Sequence, residues 1–241
     1  HSFPTAKIYN LLDNALFLEF NSRPGRLKEE VTGKDKLVII DEIQRVPQLL
    51  NEVHSLIENQ GYKRFILSGS SARKLKRGAA NLLAGRLILR KLFPLNARET
   101  EYSIPENQVL HFGNLPLSIT ANNDEEREDY LKSYVTTYLQ EEIKAEALVR
   151  NFGSFVRFLE IAALTAGKKI NMSNISRDAE VNRETVRGFF SVFEDTLLGS
   201  WLPAYRPRAK VKEVALSKFY WFDCGVLHAA AGGFQQPLPS D

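Results

Sequence analysis

Lys36-Leu37-Val38-Ile39-Ile40, followed at once by Asp41-Glu42, is the stretch that most restricts how this chain can fold. A short run of large aliphatic residues without polar alternation reads as a strand buried on both faces, the habit of parallel sheets. Two adjacent carboxylates then stand where that strand must end. In an open α/β sheet, ligands collect at the carboxyl ends of the strands, so the pair is delivered to the edge where chemistry is done. The same residues also have a plainer use, because acidic side chains at the start of a helix complement its macrodipole. Both readings stand on these seven residues alone.

The neighbouring sequence extends the pattern. Residues 6–12 carry the apolar and aromatic weight of a strand ending near Asp13. Residues 14–20 resemble a short helix stopped by Ser22-Arg23-Pro24-Gly25-Arg26, and residues 27–31 a further helical piece broken at Thr32-Gly33. Pro47 suits the first turn of a helix. Leu49, Leu50, Val53, Leu56 and Ile57 then recur at helical spacing as far as Gln60-Gly61. Arg64-Phe65-Ile66-Leu67 is a second short buried strand, closing on Ser68-Gly69-Ser70-Ser71. Two buried strands joined by one amphipathic helix form a crossover with parallel strands.

The hydroxyls that end the second strand are therefore expected beside Asp41 and Glu42. In nucleotide-hydrolysing sites of the P-loop type, one carboxylate holds Mg²⁺ and a second polarises the attacking water. A small hydroxyl on the neighbouring strand suits a position that senses the γ-phosphate. Ser68-Gly69-Ser70-Ser71 equally caps a helix before Ala72-Arg73-Lys74-Leu75. Arg86, ahead of a strand expected over residues 87–92, is either an arginine that stabilises phosphate charge or a solvated surface residue.

Beyond residue 120 the pattern turns helical. Residues 125–150 contain no Gly or Pro, and Leu131, Val135, Leu139, Ile143 and Ala147 repeat by four. Tyr130, Tyr134 and Tyr138 share a neighbouring face and read as core rather than as a base-stacking platform. Residues 155–166 form another helix ended by Gly167. A short helix over 173–179, a turn over 180–182 and a longer helix over 183–198, with Val186, Phe189, Phe190, Phe193 and Leu197 inward, are the parts of a helix-turn-helix.

Residues 200–205 and 217–222 read as the strands of a hairpin whose tip holds Arg206, Arg208, Lys210 and Lys212 against Glu213. A helix-turn-helix followed by a basic hairpin is a winged helix. Asn182, Arg183, Thr185 and Arg187 would then face base edges, and the basic tip would face phosphates. A winged helix that contacts protein has the same parts, so both partners stay open.

Taken together, LVIIDEIQRVP (37–47), FILSGSSARKL (65–75), NLLAGR (81–86), FPL (93–95) and FGNLP (112–116) resemble an uncharacterised family of prokaryotic AAA+ ATPases. So do YLKSYVTTYLQEEIKAEALVRN (130–151), FLEIAA (158–163), EDTLL (194–198) and KFYWFDCGV (218–226). The likeness runs in order over nearly the whole chain. Members of that family open with a P-loop strand and Gly-rich loop, continue through the sheet, a helical lid and a winged helix, and end in a nuclease-like domain of unknown function.

The resemblance implies a fold that is α/β followed by mostly α, with a partial parallel-sheet P-loop (AAA+) core over residues 1–96. It further implies a helical lid over 97–168, a winged helix over 169–228 and a linker-like tail over 229–241. Asp41 becomes the Mg²⁺-holding carboxylate and Glu42 the catalytic one. Ser70 (or Ser68) becomes the phosphate sensor, and Arg86 a sensor or finger arginine. ATP and Mg²⁺ are the implied cofactors of the complete protein; DNA at the winged helix and self-association are its implied partners.

One departure decides what the chain is expected to do unaided. No G-x-x-x-x-G-K-[ST] occurs: Gly33-Lys34 is followed by Asp35, and Gly167-Lys168 by Lys169. The amides and lysine of that loop supply most of the phosphate grip. The 241 residues, opening on His1-Ser2-Phe3 and closing on a Pro- and Gln-containing string, are expected to be a piece of a longer protein with little ATPase activity of its own. The alternative is a winged-helix binding module without enzymatic activity.

Composition narrows the remaining classes. With 44% hydrophobic and 25% charged residues the chain is of ordinary globular type, long enough for one large or two small domains. It has no apolar run of membrane-spanning length. A single cysteine, Cys224, forms no internal disulfide and fits a reducing cytoplasm. A net charge of +3 does not by itself argue for nucleic acid. Four scattered histidines with that one cysteine give no metal-ligand spacing, and no G-x-S-x-G elbow occurs.

Overall fold

β2 (Val38–Asp41) is the middle strand of a three-stranded parallel sheet, between β1 (Lys7–Asn10) and β3 (Phe65–Leu67). The computed structural model describes residues 5–60, 64–69, 88–138, 152–205 and 216–234, and the chain forms two units, residues 1–90 and 91–241. In the first unit the register sets Ile40 opposite Tyr9 and Leu67, and Ile39 opposite Ile8 and Ile66. The β2–β3 connection carries the expected parallel crossover helix, α3 (Leu49–Gln60).

Alternation along β2 divides the sheet into two unlike faces. Tyr9, Val38 and Ile40 are buried in one cluster with Phe20 of α1 (Asn14–Ser22), Leu27 of α2 (Arg26–Glu30), and Leu49, Val53 and Leu56 of α3. The opposite row is open, with Ile8 60% and Ile66 40% exposed. The strand expected to be buried on both faces is thus buried on one, because the described helices cluster with that face alone. Asp13 caps α1 by accepting from the Ala15 and Leu16 amides, which stops β1 and turns the chain.

Two local expectations are corrected. A 3₁₀ turn (Ile43–Arg45) stands between β2 and its helix, so Pro47 lies ahead of α3 rather than within its first turn. Pro47 serves as an acceptor there, its carbonyl taking the Leu50 amide at 3.1 Å. Residues 88–92 form no strand, and Ile88 and Leu92 are 75% and 93% exposed. Apolar content does not make a strand where no neighbouring strand offers a hydrogen-bond ladder.

The second unit is mostly helical. Its described elements are α4 (Glu106–Phe112), α5 (Pro116–Thr120), α6 (Asp124–Ser133), a π-helical turn (Tyr134–Tyr138), α7 (Phe152–Leu164), α8 (Met172–Asp178), α9 (Arg183–Asp195) and α10 (Cys224–Ala230). The antiparallel pair β4 (Gly199–Leu202) and β5 (Lys218–Trp221) completes it. The helix expected over 125–150 passes from α to π geometry at Tyr134; Leu139, Ile143 and Ala147 lie outside the described residues. Leu131 and Val135 are buried, and the Tyr130 and Tyr134 rings pack against the same core. α9 ends at Asp195, and Leu197 adopts a left-handed φ of +63°, so that Leu198 is buried in place of Leu197.

Aromatic rings dominate this core. Phe158 lies 5.0 Å from both Phe189 and Phe190, and Phe190 lies 4.8 Å from Phe219 and Trp201. These edge and tilted contacts are the geometries ring quadrupoles favour. Residues 229–241, expected as a tail, supply Ala230 and Phe234 to the core. Among the described residues, no helix is long and apolar enough to cross a membrane.

Candidate functional site

At the carboxyl edge of the first sheet, Asp41 is the last residue of β2 and Ser68 the first after β3. The Ile43 amide donates to the Ser68 carbonyl at 3.1 Å and the Ser68 amide to the Ile40 carbonyl at 3.0 Å, so the parallel ladder continues past the strand ends. This brings the Ser68 hydroxyl to Asp41, where it donates to Oδ1. Ser68, one of the two hydroxyls considered for the strand-end position, thus meets the carboxylate. Ser70 and Arg86 lie outside the described residues.

Glu42 is held in a left-handed conformation, φ +58° and ψ +41°. A residue with a Cβ costs about 1–2 kcal/mol in that region, and such outliers concentrate where a side chain must be aimed. The Gln44 side-chain amide donates to Glu42 Oε2. Arg45 donates from Nη1 to the Leu11 carbonyl at 2.6 Å and covers the Phe17 ring at 4.6 Å. It thereby ties the turn after β2 to the chain leaving β1. Sequence reasoning assigned neither Gln44 nor Arg45 a part, since both read as ordinary polar residues after the acidic pair.

Mg²⁺ is ordinarily held by one or two carboxylates together with phosphate oxygens and waters. Asp41, half-buried beside a hydroxyl, fits that modest demand. Among the described residues no three His, Cys, Asp or Glu side chains gather as a metal site. The phosphate cradle is a different matter, because the sequence contains no P-loop motif.

In the second unit, Asn182 caps α9 by accepting from the Thr185 amide at 2.8 Å and its hydroxyl at 3.0 Å. The two polar residues expected at base edges are thus engaged with each other, while Arg183 and Arg187 are exposed. Arg206, Arg208, Lys210 and Lys212 lie outside the described residues.

Asp223 is buried where β5 passes into α10. It accepts from the Asn114 amide at 2.7 Å and, as the helix cap, from Val226 at 3.0 Å. Burial pushes its carboxyl above the ordinary value, against the pull of those amides, and also pushes the Cys224 thiol up. A cleft of about 290 Å³ adjoins it, walled by Phe93, Pro94, Trp221 and Phe222 among others.

Comparison with known proteins agrees with this division. Residues 3–101 match a family model described as an AAA domain, and residues 106–236 match one described as a domain of unknown function (DUF8612). The first match likens residues 3–101 to AAA domains, a class that in general depends on nucleotide and Mg²⁺. The second spans more than half of the chain, which belongs to the DUF8612 family.

An uncharacterized protein of Mycobacterium tuberculosis and one of Mycobacterium bovis are each 27% identical over 203 residues, covering 84% of this chain and 46% of the relative. An uncharacterized protein of Methanocaldococcus jannaschii is 26% identical over 212 residues, 78% of this chain and 47% of that relative. The chain therefore spans about half the length of the curated relatives it matches. No solved structure matches it.

Proposed function

We propose that the Asp41–Glu42 edge is the metal-holding and water-activating part of a nucleotide-hydrolysing AAA site that is complete only in a longer protein. The observation that carries this reading is the contact of the Ser68 hydroxyl with Asp41 at the carboxyl ends of adjacent parallel strands, the position ligands take in open α/β sheets. Asp41 would hold Mg²⁺ borne by ATP, and Glu42 would accept a proton from the attacking water. Ser68, or Ser70, would hydrogen-bond the phosphate, with Arg86 stabilising its charge. Residues 97–168 would be the lid and 169–228 a winged helix. Self-association and a following nuclease-like domain belong to the same reading.

Two experiments test it. In a longer protein that carries a P-loop, Glu42→Gln should leave ATP binding intact and lower turnover by about 10²-fold or more, the usual loss when an acid–base group is removed. Unchanged hydrolysis would remove Glu42 from the mechanism. The 241-residue chain itself should show negligible Mg-ATP turnover, since each charged hydrogen bond missing from the phosphate grip is worth about 1.5–3 kcal/mol. Measurable turnover by that chain would overturn the dependence on a P-loop.

A second reading, duplex DNA binding through α9, rests on Gly188. This residue sits mid-helix and exposed, and a Cβ built there meets nothing within 4 Å. Glycine in a helix interior is unfavourable by about 1 kcal/mol relative to alanine. Packing among the described residues does not ask for it, whereas a partner approaching the backbone beside Arg183 and Arg187 would. Arg183→Ala with Arg187→Ala should weaken duplex binding and flatten its salt dependence. A duplex affinity indifferent to both would discard this reading.

A further inference from the structure

Residues 167–170 lie along the free side of β5. The Gly167 amide donates to the Phe219 carbonyl at 2.9 Å and the Ile170 amide to the Ser217 carbonyl at 3.0 Å, which sets Lys169 directly opposite Lys218 in an antiparallel bridge. Because the hydrogen bond runs between the flanking residues, this is the narrow pair type, with Cα atoms about 4.5 Å apart and side chains at their closest. Like charges directly opposite one another are destabilising. Neither lysine has an ion-pair partner among the described residues. Folding alone gives no reason for the pair.

The rest of that sheet face is equally unsuited to mere solvation. Alternation along β5 buries Phe219 in the core and turns Lys218 and Tyr220 outward, beside Leu202 and Ser200 of β4. Tyr220 is 42% exposed and Leu202 54% exposed. Gly167, with a φ of +71°, stands beside the Tyr220 ring, where a Cβ would make ordinary contact at 3.6 Å. Two ammonium groups with no ion-pair partner among the described residues and a part-exposed aromatic ring, about 7 Å apart along one strand, match what holds single-stranded nucleic acid: cations for the phosphates and a ring for a base.

We infer that the outward face of the β4–β5 sheet binds a nucleic acid single strand, with Lys169 and Lys218 on its phosphates and Tyr220 stacked on a base. This surface is separate from the α9 residues considered for duplex DNA and does not depend on them. A negative phosphate between the two lysines would relieve their repulsion.

The test is fluorescence anisotropy of the 241-residue chain with a labelled oligo-dT of about 15 nucleotides, the site size of one single-strand-binding surface, and with a labelled duplex of equal length. Both are read across a salt series, beside thermal melts of each variant. Lys169→Glu replaces a like pair by an opposite one. It should raise the melting temperature yet weaken oligo-dT binding at least tenfold, with the salt slope falling by about 0.7 for each phosphate no longer neutralised. Tyr220→Ala should weaken oligo-dT about tenfold, and Tyr220→Phe should restore it. Absence of oligo-dT binding by the unaltered chain at low salt would overturn the inference. So would full affinity in Lys169→Glu, or equal losses for strand and duplex with Tyr220→Ala silent.

Discussion

The Ser68 hydroxyl donates to Asp41 Oδ1 across the gap between β3 and β2, joining residues 27 positions apart in the chain. The contact follows from the crossover: parallel strands in register end at the same edge, so whatever follows each strand meets the other there. Ser68→Ala should remove one hydrogen bond from a half-buried carboxylate and destabilise the first unit by about 1 kcal/mol. Ser68→Thr should retain most of it. Both tryptophans, Trp201 and Trp221, belong to the second unit. The loss should therefore appear in urea unfolding followed by far-UV circular dichroism and not in tryptophan fluorescence.

Glu42 occupies a left-handed conformation that glycine adopts without steric penalty. Glu42→Gly should therefore stabilise the first unit by about 0.5–1 kcal/mol, even though the hydrogen bond from Gln44 goes with the side chain. In a longer protein with a P-loop, the same change should abolish hydrolysis. A fall in stability would show that the Glu42 side chain serves the fold more than the strain opposes it.

Gly113 has a φ of +69°, and a Cβ there would lie 2.0 Å from Asp223 Oδ1. The neighbouring Asn114 amide holds Oδ2 of the same carboxylate, so the loop has no direction in which to yield. Gly113→Ala should destabilise the second unit by about 3 kcal/mol or more, the scale at which strain and a broken buried bond combine. Tryptophan-monitored unfolding reads this directly. A loss below about 1 kcal/mol would mean that Asp223 moves freely.

His228 is held below its ordinary pKa, first by burial, with nearby His111 adding to the depression. Its bond to the His111 carbonyl (2.8 Å) and the charge of Asp223 oppose this. A histidine lowered on folding favours the neutral folded form. Its contribution is therefore present above about pH 6.5 and lost as the pH falls from there through the lowered value. Asp223 acts in the opposite sense: a carboxyl raised on folding contributes most below its ordinary 3.8 and loses that contribution as the pH rises through the raised value. The tryptophan-monitored urea midpoint should drop as the pH is lowered below about 6.5, and His228→Phe should flatten that drop. An unchanged slope in the variant would assign the pH dependence to another group.

Most of the element order was legible in advance because it follows from local periodicity. The apolar run at Val38, the helical repeat from Leu49 to Ile57 and the inward stripe of Val186, Phe189, Phe190 and Phe193 all concern residues close in sequence. The misreadings share a cause. Residues 88–92 have strand-like composition but no ladder, Pro47 precedes its helix by a 3₁₀ turn, and Leu197 gives way to Leu198 where the backbone turns left-handed. Each depends on which hydrogen bonds the backbone finds, and composition does not report that.

The sequence by itself determined the parallel crossover and the acidic edge, because alternation, helical spacing and a carboxylate pair after a buried strand are properties of consecutive residues. Only the tertiary structure decided that Ser68 meets Asp41, that Gln44 and Arg45 brace the turn around Glu42, and that Asp223 holds the Asn114 loop. It alone set Lys169 opposite Lys218. These are contacts between distant residues, chosen by strand register and by the need to satisfy buried backbone groups.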